Sequence, residues 1–99
     1  MMRVRLSPQA REDLDSIWSY IARESSSPNT ATRVVTAIAN KFALFANFPH
    51  LGKILELRPG VRTFSVDNYV IFYAVRSGEI RILRILHTSR DVFTTFADE

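Results

Sequence analysis

Cysteine is absent from the 99-residue sequence, and its two histidines, His50 and His87, have no further metal ligand at a regular spacing. The chain therefore has no disulfide framework or thiolate metal site, and two separate histidines do not indicate zinc. Long hydrophobic runs are missing too, since no segment approaches the roughly 20 apolar residues of a membrane span. Residues Met1 to Pro8 lack the apolar stretch of a signal peptide. We therefore expect a cytoplasmic chain without a metal or another cofactor.

Lysine is scarce: eleven arginines and two lysines supply the positive charge, and the net charge is +3. The planar guanidinium group of arginine suits carboxylate and phosphate recognition better than an ammonium group does. A nucleic acid and an acidic protein segment fit this bias equally well, and an ordinary solvated basic surface fits it too. Because a chain of this length with 46% hydrophobic residues supports one modest core, we expect a single domain over residues 1–99.

The first quarter of the chain predicts a strand followed by a helix. Residues 2–6 alternate as a short edge strand does, and Ser7 can cap a helix whose first residue is Pro8. Apolar residues then recur every three or four positions to about Glu24, as Ala10, Leu14, Ile17 and Ile21.

Four other residues of this helix are assigned roles. Glu12, Asp13 and Asp15 lie near the positive end of the helix dipole, where negative charge is favoured, and we prefer that role to catalysis. Trp18 widens the apolar stripe and is interpreted as core between two helices, since tryptophans bury large areas. Its alternative role is that of an anchor for a partner's segment.

A second amphipathic helix follows the break at residues 25–29, with Asn29 or Thr30 as its cap. Pro49 ends this helix, whose apolar stripe comprises Ala31, Val34, Val35, Ile38, Phe42, Phe45 and Phe48. The two helices thus form an antiparallel hairpin, and a loop over residues 50–59 follows it.

Residues 59–91 predict three antiparallel strands in succession, because turn signals at residues 67–68 and 77–79 separate strongly β-prone runs. The middle run, Tyr69 to Val75, is apolar on both faces, although a strand with one wet face should alternate. In the last run, strict alternation puts Arg84 on one face and both Arg81 and His87 on the other. The first of these faces includes Ile80, Ile82 and Leu86, and the second includes Leu83 and Ile85.

Both faces of this small sheet therefore need cover. The helical hairpin covers one face, which leaves the other to the C-terminal tail or to a partner. Residues 89–96 can form a short helix with Val92, Phe93 and Phe96 on one side. The predicted fold class is α+β: a short N-terminal strand, a helical hairpin packed on a C-terminal three-stranded antiparallel sheet, and a short C-terminal helix.

Five segments, taken in order, are typical of one known family. They are LSPQAREDLDSIWSYIA at the start, FPHLGK after the second helix, PGVRTF, NYVIFYAV, and ILRILHTSRDV at the end. Together they cover nearly the whole chain, and the sequence resembles the ParE branch of the RelE/ParE superfamily of type II toxins. The resemblance implies the fold described above.

The resemblance also implies a bacterial toxin that inhibits DNA gyrase by protein contact, without a catalytic centre of its own. Its partner is then a ParD-like antitoxin whose C-terminal segment wraps the toxin. The toxin is expected to contact nucleic acid only indirectly, through the antitoxin or gyrase. Acidic antitoxin residues are expected to pair with arginines of the meander. The candidate residues for binding the target or the antitoxin are Arg62, Tyr69, Arg81, Arg84, His87, Arg90 and Trp18.

Two alternatives remain open at this point. RelE-like relatives cut messenger RNA on the ribosome, which requires an acid, a base and cations around the phosphate. In the nuclease members, an arginine begins the central strand and a tyrosine follows the histidine, whereas this chain has Val70 and Thr88 at those positions. A phosphate cradle could still be formed here by Arg62, Arg81, Arg84, Arg90 and His87, with His87 as the titratable group. A non-toxic member that serves only as an antitoxin partner is the other alternative.

Overall fold

The computed structural model describes residues 1–89 and 91–97, and this part of the chain contains five strands and three helices. Their order is β1 (Arg3–Leu6), α1 (Pro8–Ser25), α2 (Pro28–Asn47), β2 (Lys53–Ile54), β3 (Val61–Val66), β4 (Tyr69–Arg76), β5 (Glu79–His87) and α3 (Val92–Ala97). The predicted α+β class, helical hairpin, meander and C-terminal helix are confirmed.

The sheet is larger than predicted. Within the described residues it has five strands, in the order β1, β5, β4, β3, β2, and not three. β1 lies at one edge and pairs in parallel with β5, and the two-residue β2 adds to β3 at the other edge. β1 joins because its inward residues, Val4 and Leu6, pack against the core beneath the hairpin. β2 was missed because two residues carry no periodicity.

Serines begin both long helices. The Ser7 hydroxyl accepts a hydrogen bond from the Ala10 N–H at 3.0 Å, as predicted. The cap of α2 is Ser27, whose hydroxyl accepts from the Thr30 N–H at 3.2 Å, so the prediction of Asn29 or Thr30 was wrong. Pro28 takes the first helical position, where its missing N–H costs no hydrogen bond, and the serine before it is left to cap.

A β-bulge divides β5 into two halves. Phe72 of β4 lies opposite Arg84, but Tyr73 lies opposite Ile82, so Leu83 is an extra residue on β5. The strict alternation predicted for this strand is therefore wrong beyond Ile82. Ile85, and not Leu86, continues the hairpin side of the sheet, while Leu86 packs on the outer side, the side away from the hairpin.

Each face of the sheet has its own apolar cluster. On the hairpin side, α1 and α2 cover a cluster that includes Phe45, whose ring stacks on Tyr73 at 4.0 Å between centroids. On the outer side, α3 packs Phe96 against Phe72. The two rings are stacked, with centroids 4.4 Å apart and an angle of 9° between their planes. The C-terminal helix thus supplies part of the cover that the sequence required. No helix in the described residues is long and apolar enough to cross a membrane.

Candidate functional site

A groove of about 540 Å³ opens between α1 and the end of the sheet where β4 begins and β5 ends. α1 contributes one wall of the groove. The other wall comes from the first residue of β4 and the last four residues of β5, with Ser89 just beyond them. The lining residues are Asp13, Ser16, Ile17, Tyr20, Tyr69, Arg84, Ile85, Leu86, His87 and Ser89. Three of the seven candidate residues predicted from the sequence, Tyr69, Arg84 and His87, therefore meet in this α1–β5 groove.

A forked ion pair fixes α1 against β5 at the inner end of the groove. Arg84 donates from Nε to Asp13 Oδ2 at 2.8 Å and from Nη2 to Asp13 Oδ1 at 3.0 Å. The same carboxylate accepts from the Ile85 backbone N–H at 2.9 Å. Both side chains are mostly buried, and the hydrogen bonds to Asp13 raise the pKa of Arg84 further above its already high value. Asp13 thus closes the edge of β5 beyond the point where β1 ends.

Aromatic side chains form the middle of the groove. Tyr69 is buried and meets His87 edge to face, with ring centroids 5.1 Å apart. Burial, with a smaller contribution from nearby Tyr20, raises the pKa of Tyr69 above its ordinary value. Tyr20 stands on α1 and is 56% exposed. Tyr20 is therefore the exposed aromatic side chain of the groove, and Tyr69 is the buried one.

His87 is held by its neighbour and not by a carboxylate. The backbone N–H of Ser89 donates to His87 Nδ1 at 3.0 Å, and the Ser89 hydroxyl lies 2.7 Å from the same nitrogen. Because Nδ1 accepts from an N–H, the neutral ring carries its proton on Nε2. Among the described residues, no group of three or more His, Asp or Glu side chains could hold a metal ion.

Arg62 lies at the other end of the sheet. It lines a smaller groove of about 290 Å³ with His50 and Ile54, and its Nη1 donates to the carbonyls of His50 and Gly52 at 3.2 and 2.8 Å. Arg62 is therefore not among the residues that the α1–β5 groove brings together. The hydrogen bonds to carbonyl groups anchor the loop before β2.

The remaining candidates are dispersed. Trp18 is 37% exposed and donates from Nε1 to Thr32 Oγ1 at 3.1 Å, so its interpretation as core between the helices was wrong. The hydrogen bond to Thr32 links the partly exposed indole of α1 to α2. Arg81 lies on the outer face of the sheet, where its Nη2 is 3.7 Å from Glu79 Oε1. Arg90 lies outside the described residues.

Sequence reasoning missed the main residue of the groove on the helical side. Asp13 was assigned to the helix dipole, but its position three residues after Ala10 and four before Ile17 places it on the buried face of α1. That periodicity was a usable signal for an inward carboxylate, and an inward carboxylate predicts an arginine partner. Tyr20 follows Asp13 by seven positions, on the same face. Ser16 and Ser89 gave no comparable signal.

Comparisons with known proteins identify the family and agree with the fold. A family model described as the ParE toxin of the type II toxin–antitoxin system parDE matches residues 4–92. The chain is 33% identical over 87 residues to Toxin ParE3 of Caulobacter vibrioides, covering 87% of this chain and 86% of that protein. It is 32% identical over 90 residues to Toxin ParE1 of the same species, covering 90% and 92%. A solved structure of the chromosomal ParDE system from P. aeruginosa matches with a TM-score of 0.77 and 27% identity, covering 88% of this chain and 96% of that one.

Proposed function

Since the chain belongs to the ParE toxin family of parDE type II toxin–antitoxin systems, we propose that it inhibits DNA gyrase by direct protein contact and that a ParD-like antitoxin neutralises it. The inhibition blocks replication, and the toxin needs no catalytic centre of its own. The toxin acts on gyrase and its DNA in the cytoplasm. The α1–β5 groove is the site that the antitoxin segment occupies.

The shape and lining of the groove carry this proposal. It combines a buried ring, Tyr69, with an exposed ring, Tyr20, and a guanidinium group at its inner end. An amphipathic segment can insert an apolar residue between the rings while its acidic residues face Arg84. Asp13 already balances the charge of Arg84, so we assign most of the affinity to the aromatic walls.

The position of the cations supports a toxin without nuclease chemistry. Cleavage of RNA needs a titratable group and cations around one phosphate. Of the candidate cations, Arg62 lines a different groove from His87, and Arg81 lies on the outer face. Arg84 shares the groove with His87 but is paired with Asp13. His87 Nδ1 is engaged by Ser89, and no carboxylate lies within hydrogen-bond distance of the ring among the described residues.

A gyrase assay tests the target. Purified toxin is incubated with gyrase, supercoiled plasmid and ATP, and linear DNA is scored after detergent and protease treatment. We expect linear DNA to accumulate and antitoxin to suppress it. Normal supercoiling at excess toxin would contradict the proposal. Cleavage of translated messages that is lost in His87→Ala would then indicate an interferase, and unaffected growth on induction without antitoxin would indicate a non-toxic member.

A pair of serine substitutions tests the groove. Ser16 and Ser19 are exposed serines of α1, but only Ser16 lines the groove. We expect Ser16→Tyr to fill the groove and to weaken antitoxin binding at least about tenfold, or 1.4 kcal/mol, in calorimetry. Ser19→Tyr adds the same ring outside the groove and should bind antitoxin like the unmodified toxin. Equal affinities for the two variants would place the antitoxin elsewhere.

A further inference from the structure

Strand pairing gathers arginines on the outer face of the sheet, beside the part that α3 covers. Arg3 and Arg76 both lie opposite Glu79, and Arg5 lies opposite Arg81. Residues that pair across strands share a face, and so do residues two apart along a strand. Neighbouring strands are about 4.8 Å apart and alternate residues about 6.7 Å apart, so all five residues lie within a patch of about 7 by 10 Å.

The positive charge of this patch is only partly compensated. Glu79 accepts from Arg5 Nε at 2.9 Å, while Arg81 Nη2 is 3.7 Å from the other carboxylate oxygen, which is too long for a hydrogen bond. Arg81 Nε is buried and has no hydrogen-bond partner among the described residues. With four arginines and one glutamate within the described chain, the patch has a local charge of +3.

An extended polyanion fits this patch better than a protein segment does. The patch offers no apolar side chain larger than Ala74, which completes the row of Arg5 and Arg81, whereas tight protein interfaces need buried apolar anchors. A nucleic-acid backbone needs none, because neutralised phosphates release counterions. One strand of a duplex also presents a phosphate every 3.4 Å or so along the axis, so about two phosphates pass within the spacing of Arg3 and Arg5.

We infer that this arginine patch, formed by Arg3, Arg5, Arg76 and Arg81 around Glu79, binds the phosphate backbone of nucleic acid directly. The inference goes beyond the proposed function and departs from the expectation that nucleic acid is met only through gyrase or the antitoxin. It does not depend on gyrase, since it concerns the toxin and DNA alone. The patch lies on the face of the sheet opposite the hairpin, so a toxin bound to a phosphate backbone keeps the helical hairpin free of the nucleic acid.

Salt dependence of DNA binding tests the patch. Fluorescently labelled duplex DNA is titrated with purified toxin between about 50 and 200 mM salt, where each phosphate contact contributes about 0.9 to the slope of log affinity against log salt. Arg3 and Arg76 are exposed and lie at opposite sides of the patch. We expect Arg3→Gln with Arg76→Gln to lower the slope by about 2. The matched control, Arg11→Gln with Arg23→Gln, removes the same charge from α1 and should keep the original slope.

A substitution of opposite sign separates binding from loss of fold. Glu79→Gln removes the negative charge of the patch, so we expect it to strengthen DNA binding and steepen the slope, which an unfolded variant would not do. Equal losses in the two arginine pairs, or no binding by the unmodified toxin at about 50 mM salt, would overturn the inference. Weaker antitoxin binding by the Arg3/Arg76 variant, with DNA binding unchanged, would also overturn it and assign the patch to a protein partner. A failed gyrase assay would leave these outcomes unaffected.

Discussion

On the hairpin side of the sheet, the covered polar groups have partners at hydrogen-bond distance, whereas on the outer side one does not. Asp13 serves both Arg84 and the Ile85 N–H on the hairpin side, and the Tyr73 hydroxyl accepts from the Gly52 N–H at 2.8 Å and donates to the Pro49 carbonyl at 3.0 Å. On the outer side, Arg81 Nε is buried without a partner among the described residues. An arginine thus has its hydrogen-bond acceptor on the hairpin side, whereas an arginine on the outer side keeps one buried donor without an acceptor among the described residues.

The difference separates arginines that hold the fold from arginines that are available to a partner. A buried guanidinium group without a carboxylate is costly, so the fork between Arg84 and Asp13 is part of the structure of the toxin. On the outer face, Arg3, Arg5 and Arg76 are exposed and remain hydrated, so they avoid this cost and can attract anions. The comparison can be tested by breaking the cover of each face in turn.

Removing the apolar cover of the outer face should have the largest effect. Phe96 is 1% exposed and stacks on Phe72. We expect Phe96→Ala to lower the free energy of unfolding by about 3–5 kcal/mol, because a buried ring is lost and a cavity remains. Urea unfolding measures the change. Phe93→Ala, on the same helix but with a ring 43% exposed, is the matched control and should cost much less. Equal costs would mean that α3 does not cover this face.

Opening the ion pair on the hairpin side should have the next largest effect. Asp13→Ala leaves the mostly buried Arg84 guanidinium and the Ile85 N–H without their acceptor. We expect a loss of about 3 kcal/mol, at the low end for a buried pair because both side chains keep some contact with water. Asp15→Ala removes the same charge from an exposed position of α1 and should change stability by no more than about 0.5 kcal/mol. A similar urea midpoint for the two variants would contradict this role of Asp13.

Much of the fold could be predicted from periodicity and from local capping and turn residues. Ser7 before Pro8 and the turn at residues 67–68 mark element boundaries by short-range chemistry, and both were correctly assigned. The parallel pairing of β1 with β5 could not be predicted in this way, because it joins residues more than 70 positions apart. The bulge at Leu83 was hidden for a related reason. An extra residue shows only when two strands are aligned, so one strand's own alternation predicts the wrong face beyond it.

The candidate site was predicted less completely than the fold. Tyr69, Arg84 and His87 were among the candidate residues, but the sequence did not group them; the turn between strands brings Tyr69 opposite His87. Sequence alone did not place the helices and loops against particular residues of the sheet, so it gave none of the arginines a specific partner. The structure assigns Arg84 to an ion pair, Arg62 to loop carbonyls and Arg81 to the outer patch. Their different roles depend on which carboxylate or carbonyl lies nearby, and the one-dimensional pattern does not contain that information.

The smallest of these effects concerns the neutral hydrogen bonds of the hairpin side and adds a dependence on pH. Tyr73→Phe leaves the buried Gly52 N–H without an acceptor, and we expect a loss of about 1–3 kcal/mol. Tyr20→Phe, at an exposed position, should have no measurable effect.

Burial raises the pKa of Tyr73 above its ordinary value of 10.0, because the phenolate would be poorly solvated there. The unfolded chain therefore loses this proton at a lower pH than the folded protein does. The stability that the neutral hydroxyl contributes is complete below pH 10 and is lost as the pH rises through the folded pKa. Tyr69, whose pKa is also raised by burial, adds a second contribution of the same sign. Tyr73→Phe should thus show a smaller loss of stability above pH 10 than the unmodified protein, in urea unfolding at a series of pH values. Identical slopes would show that the Tyr73 hydroxyl is no more protected in the folded protein than in the unfolded chain.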